Sequence, residues 1–214
     1  VDATGKLTAT LSEALAPHRD AIVALAEHGG LRRARALRDL FDDLFPMILP
    51  PDTEDGLGII VLNSNAETHF SFTNALGLVS LEQTHRLERA TGLFPRARWI
   101  VALHHHLAEY PMPVKAFSER IGTALVNGSW FVRKLEALAD RAVVMHGHRH
   151  IDWIGACGPL KIVSAPSPVM NATDDATTHF YIHTLAAGPD ARLLLLPPER
   201  VEIAGEKASH GLPT

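Results

Sequence analysis

Residues 59–62, 99–103 and 143–145 are uninterrupted apolar runs of strand length. Runs this short and this uniformly apolar belong to strands covered on both faces, as in a parallel sheet flanked by helices. Between the first two lies Ser80-Leu81-Glu82-Gln83. Its S-x-x-Q form is that of a capping box, so a helix is predicted to start there and to end near Thr91-Gly92. A further helix is predicted over 116–126. Asn127-Gly128 breaks it, and Ser129 caps another with Phe131, Leu135 and Leu138 inward. Strand, helix, strand, helix, helix, strand is an α/β alternation.

The pattern changes after residue 150. Residues 151–154, 160–163, 179–183 and 192–196 are short strand-like runs separated by Gly, Pro or Asp, which predicts an antiparallel meander. The N-terminal part is helical in character. Thr10 to Glu13 forms another capping box, and Pro17 either interrupts that helix or starts a second one. Gly29-Gly30 stops it. A helix over 31–44 turns Leu37, Leu40, Phe41 and Leu44 inward and leaves Arg32, Arg33, Arg35 and Arg38 on a solvated face, with binding of a phosphate-rich partner as the alternative. The expected organisation is one domain: a helical leader over 1–57, an α/β core over 58–204 and a disordered tail over 205–214.

Length and charge narrow the function classes. A chain of 214 residues buries one substantial core. A formal charge of −4 and a pI near 6.4 lack the basic stripe of a general nucleic-acid binder. One cysteine, Cys157, excludes an internal disulfide and a cysteine-based zinc site. The N-terminus is polar and no apolar run reaches the length of a membrane span, so no membrane partner is expected and the cytoplasm is the expected compartment.

Histidine placement carries the chemistry. His104-His105-His106 directly follow the run 99–103, and Gly147-His148-Arg149-His150 follow 143–145. Two parallel strands that each end in histidine place imidazoles at the carboxyl edge of a sheet, where α/β proteins build sites. Imidazole is the commonest protein ligand for a catalytic metal. Gly147 permits a sharp turn, and His148 and His150 would point the same way if the backbone stays extended. A solvated polyhistidine-like loop is the plainer alternative for 104–106. Asn63-Ser64-Asn65 end the run 59–62 in the same manner. They either cap the turn by local bonds or, through Asn65, contact a substrate.

Leu103-His104-His105-His106 and Gly147-His148-Arg149-His150 resemble the last two motifs of the calcineurin-like metallophosphoesterases. The likeness covers roughly residues 58–170. It implies the C-terminal part of a two-sheet metallophosphoesterase-like α/β sandwich, with the meander supplying the second sheet. It also implies a centre of two divalent ions (Mn, Zn or Fe) that hydrolyses phosphate mono- or diesters. His104 and His148 would serve one ion and His150 the other, and His105 would face the phosphate-ester substrate. Asp152 would accept an N–H from a liganding histidine, with a plain surface aspartate as the alternative.

The family's earlier motifs, Asp-x-His, Gly-Asp-x-x-Asp and Gly-Asn-His, occur nowhere in this sequence. The catalytic histidine and the bridging aspartate belong to them, so the catalytic residue is unknown. The expectation is a chain lacking the N-terminal part of the enzyme, poorly active or inactive alone, and self-associating through an uncovered sheet edge. Two other readings stay open. One is a non-catalytic fragment or interaction module. The other is a mononuclear zinc hydrolase using His146, His148 and His150.

Overall fold

The computed structural model describes residues 12–13, 15–20, 22–23, 42, 44–65, 76–108, 124–148, 150–168 and 178–203. The basic run 32–38, residues 66–75 and 109–115, most of the helix expected over 116–126, Arg149 and the tail from 204 lie outside these residues. The chain divides into two compact units, residues 1–47 and 48–214. In the first, helical residues surround a 3-10 turn at Ala16–His18 with Pro17 in its opening turn. Leu15, Ala16, Arg19, Ile22 and Val23 share one concave face there.

The division falls within β1 (Met47–Leu49), earlier than Gly58. Then come β2 (Leu57–Val61), α1 (Leu81–Leu93), β3 (Arg98–Ala102), α2 (Gly128–Leu135), a 3-10 segment (Glu136–Arg141), β4 (Ala142–His146), β5 (Trp153–Cys157) and β6 (Leu160–Ser164). The six strands form one sheet in the order β1-β2-β3-β4-β6-β5. β2, β3, β4 and β6 run parallel, and β5 is antiparallel to β6. A mostly parallel sheet with helices in its crossovers is an α/β fold, as the apolar runs predict.

The three central strands are buried because their side chains are apolar on both faces. Ile60, Trp99, Val101 and Val144 are fully buried, packed with Phe131 and Leu135 of α2. Gly58 on β2 lets the Trp99 ring lie flat on the backbone: a Cβ there would sit 2.4 Å from the ring.

Three expectations need correction. The runs after residue 150 do not make one meander. β6 inserts beside β4 and extends the main sheet, because Leu160, Ile162 and Val163 are buried on both faces like a parallel-sheet strand. β7 (Thr178–Ile182) pairs with β10 (Glu199–Ile203), and β8 (Leu185–Ala187) pairs with β9 (Leu193–Leu195), each as a two-stranded antiparallel ribbon. Residues 124 and 125 are not helical: Ala124 bridges His106 and Leu125 bridges Gly77, and the buried Leu125 donates its N–H to the His106 carbonyl. Ser129 is inside α2, whose N-cap is Asn127. The Asn127 amide does other work, donating to the Val79 carbonyl at 2.7 Å and accepting from the Val79 N–H at 3.3 Å. Among the described residues no helix is long and apolar enough to cross a membrane.

Candidate metal centre

Because β2, β3 and β4 are parallel, their carboxyl ends share one edge, and the polar residues after each strand meet there. Hydrogen bonds join those ends. The Leu103 N–H donates to the Met145 carbonyl, and the Gly147 N–H donates to the His104 carbonyl, both at 3.1 Å. The two histidine segments are thereby held in fixed register.

His104, His105 and His148 form a group whose nearest ring nitrogens all lie within 4.8 Å of one another. His104 is exposed, His148 half-buried and His105 buried. His148 Nδ1 and His104 Nε2 are 2.8 Å apart, a hydrogen bond in which one ring carries the shared proton. Two imidazoles bound to one tetrahedral zinc place their nitrogens roughly 3.3 Å apart, given bonds of 2.0–2.1 Å. Exchanging that proton for a metal requires only about 0.5 Å of widening. The His105 and His148 rings lie 4.5 Å apart, centre to centre. Behind them are His106, fully buried, and His146, whose ring lies 6.1 Å from that of His106.

Two of these rings, His105 and His146, are tuned toward the neutral form. Burial, then the neighbouring His148 and His104, lower the His105 pKa from 6.5 to about 4. Burial alone lowers His146 to about 4 against a small opposing effect of the Gly147 carbonyl. A neutral imidazole is the form that binds metal ions.

Two residues seat His105: Ser64, which reads in the sequence only as part of a strand-end turn, and Gly77. Ser64, buried after β2, places its Oγ 2.9 Å from His105 Nδ1 and 3.2 Å from the backbone nitrogens of both His104 and His105. Gly77 lies against the ring: a Cβ there would sit 2.4 Å from His105 Cγ. Ser64 is itself fixed by its neighbour. The Gln83 side chain bonds both the N–H and the carbonyl of Asn63 at 2.9 Å, so it spans from α1 to the β2 loop rather than serving only the cap of its own helix. The strand-end position of Ser64 was the only signal in the sequence. Gly77 gave none, and Gln83 reads in the sequence only as the capping-box partner of Ser80.

Other sequence candidates are elsewhere. His150 does not join the histidine group among the described residues. His148 and His150 have φ of 71° and 54°, so both are left-handed and the alternation expected of an extended segment does not apply. That also removes the geometric basis for a set of His146, His148 and His150. Asp152 does not serve a liganding histidine. Its Oδ2 accepts from the Tyr181 hydroxyl at 2.6 Å and lies 3.2 Å from His179 Nε2, because β7 passes close to it. This bond raises the Tyr181 pKa. Asn65 is exposed and bridges Gly77, and its N–H is held by the Asn63 side chain at 3.0 Å, a local turn.

No family model matches the chain, and none of the curated proteins does. Solved structures of low similarity do. One is a Staphylococcus aureus protein described as a possible 5'-nucleotidase, solved with alpha-ketoglutarate. It is 15% identical, with a TM-score of 0.36 over 83% of this chain and 36% of that one. The chain thus spans about a third of that protein's length. Another is a single mutant of Vps29 from Entamoeba histolytica, 14% identical, with a TM-score of 0.22 over 68% of this chain and 99% of that one. Likeness at this level carries no argument about fold or function. The α/β class stands on the strand order and registers above, and the site stands on its own geometry.

Proposed function

We propose that this edge of the sheet is a metal centre of a hydrolase acting on phosphate esters, of the calcineurin-like metallophosphoesterase kind that the two histidine motifs resemble. The observation that carries the reading is the 2.8 Å approach of His104 Nε2 and His148 Nδ1 at the ends of adjacent parallel strands. The donor set fits a borderline cation such as Zn, Mn or Fe, since neutral imidazoles suit these ions. His104 and His148 would hold one ion. His150 is assigned to a second ion by the resemblance alone. Among the described residues the histidine group contains no carboxylate, so the bridge that fixes two ions is not supplied by it.

A bound divalent ion polarises a phosphoryl oxygen and lowers the pKa of its water. The chain's own residues would do the rest. His105, whose ring lies 4.5 Å from that of His148, would meet the substrate beside the ion. Ser64 and Gln83 hold the strand ends in place. The all-imidazole group supports a second reading, a hydrolytic centre of one ion built on His104 and His148.

Metal content and turnover test these together. The chain would be loaded with zinc or manganese, desalted, and its metal measured by mass spectrometry alongside hydrolysis of an aryl phosphate. Metal that the unaltered chain retains and His148→Ala loses is the expected result, with hydrolysis by the chain alone slow and lost in the same variant. Two equivalents favour the binuclear reading and one favours the single-ion centre. No retained metal and no hydrolysis would favour a non-catalytic interaction module instead.

A further inference from the structure

We infer that Ser64 locks His105 as the Nε2–H tautomer, so that His105 serves this group as a hydrogen-bond donor to an oxyanion and not as a metal ligand. The inference rests on the metal reading above for what occupies the group. The tautomer itself follows from hydrogen-bond accounting.

A serine hydroxyl offers one proton and two lone pairs. The backbone N–H groups of His104 and His105 both lie 3.2 Å from Ser64 Oγ, and an N–H can only donate. These two contacts take up the oxygen's accepting capacity. The third contact, to His105 Nδ1 at 2.9 Å, is then made by the hydroxyl proton. Nδ1 is therefore an acceptor. A neutral imidazole with Nδ1 accepting carries its proton on Nε2.

The surroundings leave little freedom to escape this arrangement. Ser64 is 1% exposed, and its carbonyl accepts the Leu78 N–H at 2.9 Å. Gly77 packs against the ring, where an added Cβ would sit 2.4 Å from His105 Cγ. A metal on Nε2 would push the proton to Nδ1. The new N–H would then face a hydroxyl oxygen already taken by two backbone N–H groups, with only the Ser64 backbone left to receive it. A metal on Nδ1 would have to displace the Ser64 hydroxyl. Between His104 and His148 the shared proton lies between the two nitrogens that a metal would bind, so a metal replaces that proton directly. The ion goes to that pair. His105 brings a neutral N–H beside it, and a phosphate oxygen on the ion is the acceptor such a donor fits. Ser64 is a positioning residue in this scheme.

The test is nitrogen NMR on the full chain with ¹⁵N-labelled histidine. In the metal-free protein at neutral pH, the ring that disappears in His105→Gln is expected to show a protonated Nε2 and a bare Nδ1. Ser64→Thr is expected to keep that pattern, and Ser64→Ala to mix the tautomers. A protonated Nδ1 in the unaltered chain would overturn the inference, and that measurement needs no variant of Ser64 to fold. Cadmium-113 is then added. Metal–nitrogen coupling is expected at His104 and His148 and not at His105, whose Nε2–H signal is expected to move when inorganic phosphate follows. Coupling at His105, or a signal that phosphate leaves in place, overturns the ligand or donor assignment. Coupling at no histidine would remove the metal reading while the tautomer measurement still decides the role of Ser64.

Discussion

Gln83 and Asn63 exchange two hydrogen bonds: the Gln83 amide donates to the Asn63 carbonyl, and the Asn63 N–H donates back, each at 2.9 Å. The pair ties the first turn of α1 to the loop after β2, one residue before Ser64. Gln83→Leu keeps the size of the buried side chain but leaves both Asn63 groups without these partners. Each unsatisfied group costs about 1–3 kcal/mol when burial is complete. We expect a loss of about 2 kcal/mol in urea unfolding, because Asn63 is only half-buried. A change below about 0.5 kcal/mol, the size of an ordinary surface substitution, would mean that water replaces the clamp.

Gly77→Ala tests the seat of His105 from the other side. The new methyl group would fall 2.4 Å from His105 Cγ, so the ring or the backbone of residue 77 has to move. Overpacking of this kind typically costs 1–3 kcal/mol. The expected signature is a shifted His105 ring resonance with the strand registers of β3 and β4 unchanged. An unmoved His105 resonance would mean that the backbone yields instead.

Much of this arrangement was legible in the sequence, and the reason is physical. A run such as 99–103 is apolar on both faces, and only a covered strand satisfies that pattern, so β2, β3 and β4 were readable along with the edge where their polar ends collect. The partners were not readable. Asp152 bonds Tyr181 and His179, 29 and 27 residues away, through a ribbon whose pairing the local pattern does not encode. β10 shows why: only Val201 and Ile203 of its five residues are apolar, and none of the five is buried. Gln83 misled for a different reason. Its spacing from Ser80 satisfies a capping box, and the Ser80 hydroxyl does accept the Gln83 N–H, yet its side chain bridges to another element.

Acid should destabilise the fold through its buried imidazoles. His105 and His146 are each lowered from 6.5 to about 4, chiefly by burial. Above 6.5 both are neutral in the folded and unfolded chain, so they add no pH dependence. Between 6.5 and about 4 the unfolded chain binds protons that the folded chain refuses, so stability falls as pH falls. The slope is at most about 1.4 kcal/mol per pH unit for each group, and it ends near pH 4 where both states are protonated. His146→Gln removes one of the two. Its unfolding free energy is expected to drop less than that of the unaltered chain between about pH 7 and about pH 5, by up to about 2 kcal/mol. Parallel pH profiles would show that His146 is protonated freely in the folded state.

Arg98 offers the last test, of how a two-stranded ribbon is held. Arg98 as a residue is 8% exposed, and its guanidinium donates to the backbone carbonyls of Arg192 at 2.8 Å, Gly188 at 3.1 Å and Asp55. Gly188 and Arg192 flank the turn between β8 and β9, and Asp55 precedes β2, so one side chain joins the ribbon to the main sheet. A ribbon of two short strands is marginal by itself. Arg98→Met retains most of the apolar stem and removes all three donors. Hydrogen bonds to a charged group contribute about 1.5–3 kcal/mol each. Their loss is partly offset because the carbonyls at the surface turn can bond to water, so we expect a net loss of about 3 kcal/mol. Arg98→Lys is expected to restore little of it, since one ammonium cannot span three carbonyls that a planar fork reaches. Amide hydrogen exchange gives the spatial readout. The amides paired between β8 and β9 should lose protection in Arg98→Met while those of β3 and β4 keep theirs. Equal loss throughout the sheet would mean that Arg98 supports the whole core, and unchanged protection in β8 and β9 would mean that Leu193 and its apolar neighbours hold the ribbon without it.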